Sequence, residues 1–302
     1  MQYQTNSKAL RTAIPYIREY KGRVFVVKIG GNLCEPGRVL DHLIDQINLL
    51  YQLGIRIVIV HGGGPQADAL GKRLGVEPRA VDGRRITDDA TLEVVKMAFA
   101  GTVNTDVVAA FRKARVPAVG LSGIDGQLLT AVRRPPRQTR DSRDVAREVD
   151  FGHVGDLVRV DTGLLTHLLD GGNVPVICSL AADEAGNVLN INADTIAAEV
   201  AITLRAAKYF LITDVDGLMR DRRDPATLES FLDLEQLDTL RNQGVLEGGM
   251  LPKVAACERA LRGGVRKVHI INGTSEDTLL GEVFTNEGSG TLIVEARDAK
   301  QA

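Results

Sequence analysis

Two hydrophobic rhythms alternate along the chain. Runs dominated by apolar residues recur at 24–29, 55–60, 118–121, 174–180, 209–212 and 265–271. Runs of that kind read as strands buried on both faces, the habit of a parallel sheet. Between them lie stretches with apolar residues at helical spacing. The clearest carries Val39, Leu40, Leu43, Ile44, Ile47, Leu50 and Leu53 and stops at Gly54. Strand, helix and strand between 24 and 60 make a βαβ unit, parallel and right-handed. Further helices are predicted near 66–75, 89–115 (interrupted at Gly101), 162–171, 193–205, 233–243, from 251 onward and at 276–284, with a last strand at 290–294. The pattern predicts an α/β protein: a three-layer αβα arrangement around an open, mainly parallel sheet.

Three stretches break the rhythm. Leu10, Ile14 and Ile17 predict a helix over 5–20, ahead of the first strand and kinked or interrupted at Pro15. Residues 81–88 read as a loop or edge hairpin, with Asp88 placed to cap the next helix. Strand-like pieces at 127–132 and 154–160 flank a stretch holding Arg133, Arg134, Arg137, Arg140, Arg143 and Arg147. Asp141, Asp144 and Glu148 interleave with these arginines, which predicts a solvated insert rather than a nucleic-acid-binding arm.

Composition narrows the classes. With 302 residues, 44% apolar and 25% charged, the chain can bury a large core. A net charge of −2 gives no field for nucleic acid or membrane. No apolar run reaches bilayer length, and the N-terminus lacks the form of a signal peptide. Cys34, Cys178 and Cys257 lack metal-ligand spacing and read as free thiols in a reducing cytosol, so no protein metal site is expected and the location expected is cytoplasmic.

Ligands in open α/β sheets sit beyond the carboxyl ends of the strands. Here those ends read Lys28-Ile-Gly-Gly, His61-Gly-Gly-Gly-Pro, Ser122-Gly and Asp214-Val-Asp-Gly. Lys28 followed by Gly30 and Gly31 proposes a phosphate site, since glycine lets backbone N–H groups approach an anion closely. Lys253 follows Gly248, Gly249 and Pro252, in the first turn of a predicted helix. A cation there opposes the helix dipole unless an anion occupies the helix end. Asn190, Asn192 and Asp194 alternate with apolar neighbours, so their side chains are expected to point one way, with Asp194 placed to cap the following helix. The Walker pattern is absent, and the dinucleotide-like Gly62-Gly-Gly-Pro-Gln-Ala67 lacks its acidic partner at the end of a following strand.

Together these motifs resemble the acetylglutamate kinases of the amino-acid kinase family. The resemblance covers about 10–294 and rests on Lys-Ile-Gly-Gly-Asn at 28–32, His-Gly-Gly-Gly-Pro at 61–65, Asp-Gly-Arg-Arg-Ile-Thr at 82–87, Gly-Leu-Ser-Gly-Ile-Asp-Gly at 120–126, Asn-Ile-Asn-Ala-Asp-Thr at 190–195, Thr-Asp-Val-Asp-Gly at 213–217 and Gly-Gly-Met-Leu-Pro-Lys at 248–253. An insert at 133–149 longer than usual, and Ile29 where Tyr or Leu is common, are the departures.

The resemblance implies an N-terminal helix (1–22), an acceptor-binding and dimerising lobe (23–180) and a nucleotide-binding lobe (181–302). It implies ATP-dependent phosphorylation of the side-chain carboxylate of N-acetyl-L-glutamate in arginine biosynthesis, with Mg²⁺ carried on the nucleotide phosphates. Lys28 and Lys253 would stabilise the transferring phosphoryl group and Asp194 would orient them. Gly63, Gly64, Arg85, Asn190 and Asn192 would bind the acceptor, and Gly30, Gly31, Asp214 and Lys253 the nucleotide. His61 is read as structural, because an acceptor already ionised at neutral pH needs no base. The N-terminal helix is similar to that of arginine-inhibited hexamers built as trimers of dimers, which implies an L-arginine site at His269, Glu282 and Gly288. A second reading is the non-catalytic, arginine-sensing domain of acetylglutamate synthases, which Leu129-Thr-Ala-Val-Arg-Arg-Pro-Pro136 resembles. Retention of both lysines, and no acyltransferase domain after residue 302, favour the kinase.

Overall fold

The computed structural model describes residues 2–81, 84–140, 146–221, 223–246, 248–285 and 288–296, with the backbone alone for 2–10, 84, 139–140 and 146–147. Asp82, Gly83, Asp141, Arg143, Asp144 and the side chains of Leu10, Arg140 and Arg147 therefore lie outside the described set.

The elements run in order as α1 (Gln2–Tyr20), β1 (Val24–Ile29), α2 (Arg38–Gln52), β2 (Arg56–His61), α3 (Gly64–Arg73), β3 (Arg79–Val81), β4 (Arg84–Ile86), α4 (Asp89–Lys96), α5 (Asn104–Lys113), β5 (Ala118–Leu121), β6 (Leu129–Arg133), β7 (Arg137–Arg140), β8 (Ala146–Val149), β9 (Gly155–Val160), α6 (Gly163–Asp170), β10 (Val174–Ile177), β11 (Leu180–Ala182), β12 (Val188–Asn190), α7 (Ala193–Thr203), β13 (Lys208–Thr213), β14 (Phe231–Asp233), α8 (Leu234–Asn242), α9 (Met250–Arg262), β15 (Val268–Asn272), α10 (Thr278–Phe284) and β16 (Thr291–Val294). Eight strands form the main sheet in the order β14-β16-β15-β13-β1-β2-β10-β5. All its neighbours pair in parallel except β15 with β16. A smaller sheet, β12-β11-β6-β9, stands beside it.

Alternation along β1 decides the layers. Phe25, Val27 and Ile29 join one buried cluster with α2, α5 and α10. Val26 joins the other, with α6, α7, α8 and α9. Helices therefore cover both faces, the three-layer αβα, mainly parallel architecture expected from the hydrophobic rhythm. The strand order reverses direction at β1 and β13, where Lys28 lies in register with Leu211, so their carboxyl ends open a crevice.

Several expectations are corrected. The helix at 5–20 runs through Pro15 without interruption. Pro15 is on the exposed side, where water can satisfy the carbonyl that its missing N–H leaves free. At Gly101 the helix does not break: it widens into a π segment, Met97–Val103, between α4 and α5. The run 174–180 splits, because β11 belongs to the smaller sheet. The strand at 118–121 is an edge strand, partly exposed. The insert carries its own hairpin, β7 with β8, and β14 follows a charged loop that showed no strand pattern. Asp89–Lys113 is, among the described residues, one helical run long and apolar enough to cross a bilayer, and half of that stretch is buried in this protein.

Candidate active site

The two-residue period of β1 places Lys28 on the face of Val26, under α7 and α9. There its side chain is almost fully buried, and its Nζ lies 2.8 Å from Oδ1 of Asp194 in the first turn of α7. Lys253, from the first turn of α9, approaches Oδ2 of the same carboxylate at 3.4 Å. Burial alone would raise the Asp194 carboxyl, but the charges of Lys28 and Lys253 hold it below the usual range. Lys253 is displaced downward, first by burial and then by the charge of Lys28, with Asp194 offsetting part of both. Asp194 does not cap its helix. Asn192 does, its Oδ1 accepting from the amides of Asp194 at 2.7 Å and Thr195 at 3.2 Å. That exchange of roles frees the Asp194 carboxylate for the lysines. It also ends the expected alignment of Asn190, Asn192 and Asp194, since the chain turns into helix between the last two.

Gly31 meets the start of α3 at close range. A Cβ on Gly31 would lie 3.1 Å from the amide nitrogen of Gly63 and 3.2 Å from that of Gly64. Three glycines thus gather amides at one point, next to a helix N-terminus. Gly30 is not a fourth. Its N–H donates to Ile212 at 2.9 Å, so of the two glycines in this turn only Gly31 can offer an amide to an anion. A cavity of about 290 Å³ opens on one side, lined by Lys28, Gly30, Gly31, Asn32, Asp214 and Lys253. Asn32 donates to Asp214 at 2.8 Å, a bond that lowers the Asp214 carboxyl and ties the ends of β1 and β13 together.

A second cavity, about 420 Å³, lies beyond Gly63 and Gly64 and includes Arg85, Arg134, Asn190 and Asn192. Arg85 is braced by Asp68 at 2.7 Å and by the carbonyl of Gly64 at 3.2 Å. Asn190 donates to Thr87 Oγ1 at 3.1 Å. Phe99, on the π segment, packs so tightly on Gly63 that a Cβ there would come within 2.6 Å of its ring. His61 is fully buried and neutral, burial pulling it down to about 4. Its Nδ1 donates to the carbonyl of Gly62 at 2.8 Å and its Nε2 accepts from Asn104 at 2.9 Å, a structural role.

Away from these cavities, His269 and Glu282 meet at 2.7 Å, both buried. Gly288 sits against the same carboxylate, with a left-handed φ of 60°. Glu282 Oε1 accepts from Ser289 at 2.6 Å and Gly290 at 2.8 Å. Its partners are therefore internal, and an incoming guanidinium meets only its remaining lone pairs. His269 Nε2 is buried and has no hydrogen-bond partner among the described residues.

Four contributors went unassigned from the sequence. Asn32 sat inside a motif without a role. Asp68 and Arg259 had no distinguishing pattern, and Arg134 belonged to the supposedly solvated insert, yet its side chain is only 16% exposed and lines the second cavity.

The model of the Amino acid kinase family matches residues 23–272. An acetylglutamate kinase of Myxococcus xanthus is 43% identical over 97% of this chain and 96% of its own. The N-acetylglutamate synthase of Neisseria gonorrhoeae, solved with coenzyme A and N-acetyl-glutamate, superposes with a TM-score of 0.82 at 33% identity, covering 97% of this chain. The chain spans 64% of that synthase. The same synthase solved with coenzyme A and L-arginine gives a TM-score of 0.79 at 31% identity, over 96% of this chain and 65% of the synthase.

Proposed function

The chain belongs to the amino acid kinase family and is a kinase, and on that premise we propose that it transfers the γ-phosphoryl group of ATP to the side-chain carboxylate of N-acetyl-L-glutamate. The products are N-acetyl-L-glutamyl 5-phosphate and ADP, a step of arginine biosynthesis. The observation that carries this reading is the buried Asp194 carboxylate holding two lysine ammonium groups, at 2.8 and 3.4 Å, beside amides of Gly31, Gly63 and Gly64.

Attack by a carboxylate needs no proton removed, because the acceptor is ionised at neutral pH. It needs two repelling anions held in line and positive charge on the group passing between them. Lys28 and Lys253 supply that charge from a low-dielectric site, and the glycine amides add fixed donors. Asp194 keeps the ammonium groups together despite their mutual repulsion. The three residues come from different elements, so their geometry is set before substrate arrives. Arg85 and Asn190 suit the acceptor's second carboxylate and amide, and Asp214 with Asn32 faces the nucleotide side. Mg²⁺ would enter on the nucleotide phosphates and neutralise part of their charge.

The cluster of His269, Glu282 and Gly288 supports a second element of the proposal, inhibition by L-arginine. A buried carboxylate suits a guanidinium, and His269 Nε2, without a hydrogen-bond partner among the described residues, offers a further contact. Ile14 on α1 is 42% exposed, which suits a helix that joins dimers into a hexamer. The test of the activity is a coupled ADP-release assay with N-acetyl-L-glutamate, L-glutamate and L-aspartate in parallel. The reading requires turnover with the first, well above the other two. No turnover with any acceptor would favour the arginine-sensing reading.

A further inference from the structure

The arginine-rich insert begins inside the second cavity, and that position has a consequence for substrate choice. Arg134 follows the last residue of β6 and lines the cavity shared by Gly64, Arg85 and Asn190. Its backbone N–H donates to Val154 at 2.8 Å, and its guanidinium takes Asp156 side-on, Nε lying 3.0 Å from Oδ1 and 3.2 Å from Oδ2, with Nη2 on Oδ1 as well. Asp156 is not among the lining residues, so it holds the guanidinium from outside the cavity. Nη1 of Arg134 makes no hydrogen bond among the described residues.

The other arginines of this cavity are less available. Arg85 engages Asp68 through one terminal nitrogen and the carbonyl of Gly64 through the other, leaving only its remaining N–H groups for an acceptor. Arg259 pairs with Glu199 through Nε and Nη2, and its side chain is 61% exposed, so its charge is screened. Arg134 is a rigid, largely desolvated cation with an unspent edge. A dicarboxylate acceptor that presents one carboxylate to the lysines needs a cation for the other.

We propose that Arg134 is a specificity-determining residue, reading together with Arg85 the acceptor carboxylate that is not phosphorylated. The inference rests on the acceptor reading of this cavity.

The test compares wild type with Arg134→Gln and Arg134→Lys in steady-state kinetics, using N-acetyl-L-glutamate and 4-acetamidobutyrate, which lacks the second carboxylate. Loss of a charged hydrogen bond predicts that Arg134→Gln raises KM for N-acetyl-L-glutamate about 10- to 100-fold. The inference further requires kcat and the KM for ATP to stay within about threefold, and KM for 4-acetamidobutyrate to stay where it is in wild type. Arg134→Lys should recover part of the loss, having the charge without the fork. An acceptor KM within about twofold of wild type would overturn the inference, as would equal losses with both acceptors, the mark of a merely architectural role. If wild type itself fails to turn over N-acetyl-L-glutamate, the kinase reading fails separately. Calorimetric binding of N-acetyl-L-glutamate to wild type and Arg134→Gln then decides the role of Arg134, equal affinities overturning it.

Discussion

The ammonium group of Lys28 lies 2.8 Å from Oδ1 of Asp194, and both side chains are almost completely removed from solvent. A buried pair of this kind stabilises little by itself, because desolvation offsets most of the attraction. Its value is positional. With Lys253 on the second oxygen, one carboxylate fixes two cations in the wall of the 290 Å³ cavity. Asp194→Asn is expected to lower kcat while leaving one buried and one partly buried ammonium group without their counter-charge. Breaking a buried pair costs about 3–5 kcal/mol, so a large fall in the unfolding free energy should accompany the loss of rate. Unchanged stability in a urea titration would contradict this description of the trio.

Arg85 predicts a different kinetic signature. The contact proposed for it with a substrate carboxylate would exist in the ground state and the transition state alike, so Arg85→Ala should act on KM. A rise of about tenfold or more in KM for the acceptor is expected, with kcat within a few-fold of wild type. A fall in kcat at unchanged KM would move Arg85 from substrate binding to catalysis.

Stability should fall in mild acid. His61 titrates at about 4 in the folded chain, against 6.5 for an unperturbed histidine. Between those values the unfolded chain takes up a proton that the folded chain refuses. Stability from this group is therefore complete above pH 6.5 and lost progressively as pH falls toward 4, by about 3 kcal/mol. Urea unfolding across that range measures the slope. His269 is pulled down by burial to about 4 as well and adds the same sign over the same range, so His61→Asn should make the slope shallower without abolishing it, and an unchanged slope in the variant would assign the acid sensitivity elsewhere.

Much of this was legible in the sequence, and the gaps have physical causes. Apolar runs identified the core strands because a parallel sheet is buried on both faces, so after their first residues β1 and β2, and β13 throughout, are buried and leave little to blur the signal. Local capping was harder. Asn192 and Asp194 are both good cap residues two positions apart, and only the lysines reaching Asp194 from β1 and α9 decide between them. Gly30 looked equivalent to Gly31 in sequence, but sheet pairing with Ile212 consumes its amide. The insert misled because alternating charge ordinarily marks solvated chain, and the burial of Arg134 depends on Asp156, 22 residues away.

The N-terminal helix and the His269 and Glu282 cluster lead to an assembly prediction. Tyr16 stacks edge-on against Phe284 and Tyr20 against Phe25, so the end of α1 is anchored on its own chain, while Ile14 stays exposed. The full-length protein is expected to sediment as a hexamer and to be inhibited by L-arginine. Removal of residues 1–20 should give active dimers with a weak arginine response. A full-length dimer indifferent to arginine would leave α1 as a cap on its own chain.

Lys28 and Lys253 are proposed above all to meet charge that develops on the transferring phosphoryl group. The most direct measurement is kcat, with KM for N-acetyl-L-glutamate, of Lys253→Ala by coupled ADP release. Loss of a donor acting in the transition state predicts a fall in kcat of about 10²–10³, with KM changing far less. A kcat within about twofold of wild type would contradict that role.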